Sequence, residues 1–163
     1  MEQMKLFLVI SDSHGDTVSL RRIVNQYPSI QSIIHLGDYY RDAIRLKEFY
    51  PDKEYYMVPG NCDFLVSGVP DEKILEIEGL KVLITHGNRY GVKGGFGRLR
   101  SRSLRDKLDI ALFGHTHIPL VEKNKGLLLV NPGSAGYSRG DPSTYALLEI
   151  GNGIAEARIM EVL

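Results

Sequence analysis

Seven side chains that commonly bind metal ions each stand just after a run of apolar residues. They are Asp12, His14, Asp38, Asn61, His86, His115 and His117. All are oxygen or imidazole donors, a set that suits Mn²⁺, Fe, Zn²⁺, Ni²⁺ or Co²⁺ better than Ca²⁺ or a soft metal. Two pairs, 12/14 and 115/117, have the spacing that places both members on one side of an extended segment. Seven ligands exceed the needs of one ion, so the pattern predicts two ions that share a bridging ligand.

The apolar runs have the length and composition of buried β-strands. Strands are predicted at 6–10, 32–36, 55–58, 74–77, 80–85, 110–113, 121–123, 127–130, 146–150 and 154–160, and helices at 16–26, 39–50 and 98–107. Strands and helices alternate in the first third of the chain, which is typical of parallel βαβ units. Turn signals at 78–79, 124–126 and 151–153 indicate antiparallel hairpins. We therefore expect an α/β fold of two packed mixed sheets with helices outside, in a single domain spanning 1–163.

The predicted strands also explain how distant ligands could meet. In open α/β sheets, functional sites lie outside the carboxyl ends of the strands. Five separate segments deliver the seven residues to such ends. The sequence therefore predicts that they converge at one edge of the sheets.

Composition limits the classes of protein that fit. Hydrophobic residues make up 43% and charged residues 25%, which is an ordinary globular composition. Twenty basic and twenty acidic residues give no net charge, so a dedicated nucleic-acid binder is not expected. The apolar run at 6–10 is too short to span a membrane and lacks a secretory cleavage site. With one cysteine, Cys62, the chain has no internal disulfide, and we expect a cytoplasmic protein without membrane contact.

Five short motifs, in order, resemble the calcineurin-like metallophosphoesterase superfamily. They are Asp-Ser-His-Gly at 12–15, Gly-Asp at 37–38, Gly-Asn-Cys-Asp at 60–63, His-Gly at 86–87 and Gly-His-Thr-His at 114–117, and Asn-Pro-Gly-Ser at 131–134 extends the likeness. The short length and Cys62 make the chain similar to the compact YfcE-like phosphodiesterases of bacteria and archaea.

The resemblance implies a four-layer α/β/β/α sandwich and a binuclear metal site. Asp12, His14 and His117 would hold one divalent ion. Asn61, His86 and His115 would hold the other, and Asp38 would bridge them. Mn²⁺ is the first expectation, with Fe, Zn²⁺, Ni²⁺, Co²⁺ or Mg²⁺ as alternatives. The implied reaction is in-line attack on a phosphoester by a hydroxide that the two ions share, with Asp38, Asn61 and His86 at the catalytic centre and Asn61 also touching substrate.

The chain departs from the wider superfamily after the motif asparagine, where most members carry a histidine. Here Cys62 takes that position, and a neutral thiol is a poor substitute for an imidazolium near pH 7. We therefore expect esters with good leaving groups, and diesters rather than monoesters. Cys62 also fits a small buried apolar role, although its neighbours favour a place in the pocket. Asp63, which would steer that histidine, is predicted to orient a supporting group.

Other polar residues admit more than one interpretation. Arg89 is the best candidate to bind substrate within the basic stretch 89–107, which fits either a positive rim or a solvated helix face. His35 is predicted to be a packed or supporting residue. Residues 131–134 fit either a simple turn or a pocket wall, and Tyr39 either packing or substrate contact.

Two other functions stay open. One is a non-catalytic interaction scaffold on the same fold, as in the retromer subunit of this superfamily, although such proteins tend to lose the metal ligands that are present here. The other is a phosphomonoesterase or nucleotidase. The expected partner is a small phosphoester substrate, and a symmetric homo-oligomer is the default assembly.

Overall fold

The computed structural model describes residues 3–136 and 140–163 of the chain. Ten strands in this part of the chain are β1 Lys5–Ile10, β2 Ser32–His35, β3 Glu54–Met57, β4 Glu72–Ile77, β5 Leu80–Thr85, β6 Ile110–Leu112, β7 Leu120–Asn124, β8 Leu127–Asn131, β9 Thr144–Gly151 and β10 Ile154–Glu161. The α-helices are α1 Thr17–Gln26, α2 Tyr40–Phe49 and α3 Gly97–Arg105, and two short 3₁₀ turns are Asn88–Tyr90 and Val92–Gly94. No helix among these residues is both long and apolar enough to cross a membrane.

The strands form two mixed five-stranded sheets. Sheet 1 has the order β10-β9-β1-β2-β3, with β1, β2 and β3 parallel. Sheet 2 has the order β4-β5-β6-β8-β7, with β5, β6 and β8 parallel. The remaining pairs are antiparallel, including the three predicted hairpins. The prediction of two mixed sheets is confirmed.

Alternation along β1 shows why its sequence is continuously apolar. Phe7 and Val9 face the core between the two sheets, where they meet residues such as Ile84 and Leu112 of sheet 2. Leu8 belongs to a second core, which the sheet shares with α1 and α2. Successive strand residues point to opposite faces, and a strand buried on both faces needs apolar residues throughout.

Helix α3 covers the outer face of sheet 2. Its Leu99 packs with Leu83, Ala111 and Phe113 in a third core. The layers therefore run helix, sheet, sheet, helix. The four-layer α/β/β/α sandwich implied by the sequence is confirmed.

Candidate metal centre

The predicted ligands stand on loops at the carboxyl ends of parallel strands in both sheets. Asp12 follows β1, Asp38 follows β2 and Asn61 follows β3 in sheet 1. In sheet 2, His86 follows β5 directly and His115 follows β6 by three residues. The structure brings six of the seven side chains into two groups, and Asp38 belongs to both.

The first group consists of Asp12, His14, Asp38 and His117, whose ligand atoms lie within 4.8 Å of one another. Nε2 of His117 is 3.1 Å from Oδ1 of Asp12 and 3.3 Å from Nε2 of His14. Asp12 is fully buried, whereas His117 is exposed. The group therefore opens to solvent on its His117 side.

The second group consists of Asp38, His86 and His115. Nε2 of His86 is 3.4 Å from Oδ1 of Asp38 and 3.2 Å from Nδ1 of His115. Nδ1 of His86 lies 2.7 Å from the carbonyl oxygen of Leu36. Because a carbonyl oxygen only accepts, Nδ1 carries the proton and the Nε2 lone pair of the neutral ring faces the group, as metal ligation requires.

Asp12 provides a further sign that this centre is built for a cation. Its Oδ1 is buried and accepts no hydrogen bond among the described residues, although Nε2 of His117 lies 3.1 Å away, whereas Oδ2 accepts from Ser11 Oγ at 2.6 Å. A buried carboxylate oxygen without a partner is costly, and a bound cation removes that cost. The residues present therefore fit a divalent metal ion.

Contacts with neighbouring histidines favour the ionised forms of Asp12 and Asp38. Burial raises the pKa of Asp12, but the contacts with His117 and His86 outweigh burial and lower it. Burial likewise raises the pKa of Asp38. Its contacts with His86 and with the Cys62 N–H outweigh burial, so the pKa of Asp38 lies below its ordinary value. Both carboxyl groups are thus ionised at neutral pH, which is the state that binds cations.

Five of the predicted ligands adopt left-handed backbone conformations. Asp12, His14, Asp38, His115 and His117 have φ angles between 47° and 70°. Such conformations cost on the order of 1–3 kcal/mol per residue and cluster at functional sites. Five of the six residues in the two groups therefore have a backbone conformation that costs free energy in the folded chain.

A buried chain of hydrogen bonds holds the loop that carries His14. The backbone N–H of Gly37 donates to Nδ1 of His35, and Nε2 of His35 donates to Ser13 Oγ at 3.0 Å. Ser13 Oγ donates to Asp42 Oδ2 at 2.8 Å, and Gly15 N donates to the same oxygen. His35 is a supporting residue, as predicted, whereas Ser13 and Asp42 were not identified from sequence. The signal was Asp42 on the apolar face of α2, beside buried Ala43.

Residues 131–134 form hydrogen bonds to the backbone of two loops that carry candidate ligands. Nδ2 of Asn131 donates to the carbonyl of Gly114 at 3.0 Å, and Oγ of Ser134 donates to the carbonyl of Asp12 at 2.8 Å. Both side chains are buried. These contacts give the segment a positioning role that neither sequence interpretation had named.

The loop after β3 is tied to Asp38. The backbone N–H of Cys62 donates to Oδ1 of Asp38 at 2.9 Å. Partial burial and the Asp38 carboxylate raise the pKa of the Cys62 thiol to about 11. Asn61 is exposed, with its amide 3.7 Å from Cys62 Sγ, and its role as a ligand stays a prediction.

Asp63 has a well-defined structural role. Its Oδ1 accepts from the backbone N–H groups of Tyr39 and Tyr40, each at 2.9 Å, and its Oδ2 accepts from Gly60 N at 2.8 Å. Tyr40 is the first residue of α2, so Asp63 caps that helix from a distant loop. Asp63 therefore joins the loop after β3 to the start of α2, and its role in orienting a group of the centre stays a prediction.

Among the basic residues, the structure distinguishes Arg89 from Lys93. Arg89 forms an ion pair with Asp71 at 2.5 Å and is largely exposed. Lys93 sits beside Val92, which packs behind Gly87, the residue after His86. Burial, followed by the electrostatic interactions with His86 and with the Lys93 ammonium, lowers the pKa of His115. The Lys93 ammonium thus contributes to the lowered pKa of His115, whereas Arg89 pairs with Asp71 and its role in binding substrate stays a prediction.

Known proteins resemble this chain over nearly its whole length. The model of the calcineurin-like phosphoesterase superfamily domain matches residues 4–153. A probable metallophosphoesterase, YsnB of Bacillus subtilis, is 34% identical, with 94% of this chain and 89% of that protein covered. Phosphodiesterase YfcE of Escherichia coli is 27% identical, with 90% and 88% covered.

Solved structures agree with these matches. A Streptococcus pneumoniae protein described as a predicted phosphoesterase superimposes with a TM-score of 0.82 at 27% identity, covering 99% of this chain and 91% of that one. Vacuolar protein sorting 29 of Cryptosporidium parvum shares the fold, with a TM-score of 0.76 at 22% identity and 98% of both chains covered. The sandwich, the two Asp/His groups and the match across residues 4–153 lead to one assignment: the chain belongs to the calcineurin-like phosphoesterase superfamily.

Proposed function

We propose that residues 1–163 form one phosphodiesterase domain that hydrolyses phosphate esters at a binuclear metal centre. The observation that carries the proposal is the pair of Asp/His groups that share Asp38. In this proposal Asp12, His14 and His117 hold one ion, and His86 and His115 hold the other together with Asn61. Asp38, which belongs to both groups, would be the ligand common to the two ions.

The donor chemistry limits the choice of metal. The two groups contain imidazole nitrogens and carboxylate oxygens, without a thiolate. We propose Mn²⁺, with Fe, Zn²⁺, Ni²⁺, Co²⁺ or Mg²⁺ as alternatives that the same donors accept. Cytoplasmic location and a homo-oligomeric state stay predictions.

Two divalent ions, when bound by these residues, would supply an activated water and would neutralise charge on the phosphoryl oxygens. The chain supplies the geometry. Leu36 fixes the tautomer of His86, the Cys62 N–H holds Oδ1 of Asp38, and the Ser134 hydroxyl anchors the Asp12 backbone. Because these positions are fixed before substrate binds, little reorganisation is needed during reaction.

The preference for diesters rests on Cys62. A thiol whose pKa is about 11 carries no positive charge and stays protonated at neutral pH. It therefore does not stabilise the extra negative charge of a monoester as an imidazolium would. E. coli YfcE, to which this chain is similar, is named a phosphodiesterase.

The test is elemental analysis of the purified chain combined with turnover of matched mono- and diesters of p-nitrophenol. We expect two metal ions per chain and faster turnover of the diester, with Cys62→His shifting the ratio toward the monoester. A metal-loaded chain that turns over none of a broad panel of phosphoesters would overturn the proposal and favour the interaction scaffold. Faster monoester turnover by the unmodified chain would identify a monoesterase.

A further inference from the structure

Two large apolar side chains stand in solvent on the loop that follows Asn61. Phe64 is 85% exposed and Leu65 is 80% exposed. Single exposed apolar residues are common on protein surfaces. An adjacent pair on a loop that contacts a candidate ligand calls for a functional explanation.

The loop that carries this pair, residues 62–66, is fixed relative to the centre. Its first residue, Cys62, donates its backbone N–H to Asp38, and the next, Asp63, accepts three backbone N–H groups. Val66 N donates to the carbonyl of Asp63 at 3.1 Å and closes a turn around the pair. Phe64 and Leu65 therefore project from a braced turn.

A cavity of about 180 Å³ lies between the 62–66 loop and the start of α2. Tyr39 lines it, and the Tyr39 ring packs edge-on against the ring of His14, with centroids 5.3 Å apart. The cavity is therefore bordered on one side by Tyr39, which contacts the candidate ligand His14, and on the other by Phe64 and Leu65. A cavity of roughly 150 Å³ suffices for a benzene ring.

The lining of the cavity selects among possible occupants. The lining residues include two aromatic residues, Tyr39 and Phe64, together with Leu65, and Arg41 is the cation among them. Asp63 also lines the cavity, but both of its carboxylate oxygens are occupied by backbone N–H groups. Aromatic lining residues favour an occupant with a ring that can stack on them or pack edge-on. The Arg41 guanidinium also favours an aromatic ring over an alkyl chain, because it is attracted to the face of the ring.

We infer that the 62–66 loop and Tyr39 form a subsite for an aromatic ester group of the phosphodiester substrate. The inference rests on the proposed function and specifies its substrate class. The phosphate binds at the metal centre, and an aryl or heteroaryl ester group occupies the adjoining cavity. Contact with Phe64 and Leu65 removes apolar surface of both partners from water.

The test compares phenylphosphonate with methylphosphonate as inhibitors of Mn²⁺-loaded protein hydrolysing bis(p-nitrophenyl) phosphate. Both compounds carry a phosphonate group, so the ratio of their inhibition constants measures how much the phenyl ring contributes to binding. We expect phenylphosphonate to bind about tenfold more tightly than methylphosphonate, in line with one well-packed aromatic group. In the double variant F64A/L65A the two inhibition constants should differ by no more than about twofold, because the phenyl ring loses its contact with both side chains.

Matched controls are F49A and L104A, which remove apolar side chains that are 55% and 61% exposed. Phe49 is at the far end of α2, under the Arg21 guanidinium, and Leu104 lies on α3. Both controls should keep the ratio of the unmodified protein. Calorimetric titration of the two phosphonates gives the same ratio without depending on turnover.

The outcomes separate this inference from the proposed function. Hydrolysis of the diester with a phosphonate ratio that F64A/L65A leaves unchanged overturns the subsite alone. Such a result is expected if the exposed pair instead docks a protein partner. Absence of both hydrolysis and phosphonate binding overturns the proposed function.

Discussion

The side chain of His86 and the carbonyl oxygen of Leu36 form a hydrogen bond of 2.7 Å that joins the two sheets. Leu36 follows β2 of sheet 1, and His86 follows β5 of sheet 2. The bond aims Nε2 of His86 at Asp38, 3.4 Å away. One contact thus couples the sandwich interface to the geometry of the metal centre.

This contact predicts opposite tautomers for the two buried histidines of the site. His86 should carry its proton on Nδ1, because Leu36 can only accept. His35 should carry its proton on Nε2, because its Nδ1 accepts from the Gly37 N–H. Long-range ¹⁵N–¹H NMR correlations of metal-free protein, at a pH where both rings are neutral, distinguish the two forms.

Urea-unfolded protein is the control, since both rings should then show the same mixture of tautomers. Finding one tautomer at both positions in the folded protein would contradict the assignment. A His86 ring protonated on Nε2 would have no lone pair directed at Asp38.

Asp38→Asn should be the most damaging conservative change in the centre, because Asp38 belongs to both groups. We expect metal content to fall well below that of the unmodified protein and diester turnover to drop at least about a hundredfold. Elemental analysis and initial rates measure the two effects. Asp52→Asn, at an exposed position, is the matched control. Normal metal content and turnover in Asp38→Asn would falsify the proposed centre.

Lys93→Ala should weaken substrate binding more than Arg89→Ala. Lys93 acts electrostatically on His115 and His117, whereas Arg89 pairs with Asp71. Loss of one cation near a phosphate is expected to raise KM for a diester about tenfold, with a smaller change in kcat. Steady-state kinetics of both variants make the comparison. The reverse order would restore Arg89 as the principal cation.

Tyr90 forms a network that holds the turn after His86 against sheet 2 and α3. Its hydroxyl donates to Glu72, and Arg102 donates to Glu72 at 2.6 Å and to the Tyr90 oxygen at 2.8 Å. Burial and the bond to Glu72 raise the pKa of Tyr90 to about 12. The phenol therefore loses its proton less readily in the folded than in the unfolded chain.

A raised pKa in the folded state has a definite consequence for stability. The contribution of Tyr90 is fully present below the unfolded pKa, about 10, and is lost as the pH rises through about 12. We expect Tyr90→Phe to be less stable than the unmodified protein by about 1 kcal/mol at pH 8. Urea unfolding should show this difference shrinking between pH 10 and 12. A constant difference across that range would contradict the role of the neutral phenol.

Parts of the fold were predictable because they depend on local pattern. The continuous apolar run of β1 predicted a strand buried on both faces, and the hairpin at 78–79 followed from its turn residues. The roles of Ser13 and Asp42 were not predictable, because Ser13 bonds to His35, 22 residues along the chain, and to Asp42, 29 residues along the chain. A serine and an aspartate have ordinary surface chemistry until a fold buries them.

The sequence by itself determined the donor types, their order and their place after strands, because these follow from residue identity and apolar patterning. Tertiary structure decided how the donors group, that Oδ1 of Asp12 accepts no hydrogen bond from the described residues, and that Arg89 pairs with Asp71. Those properties depend on contacts between loops of two different sheets. Such contacts arise only when the sandwich packs, since neither sheet alone carries both Asp38 and His86.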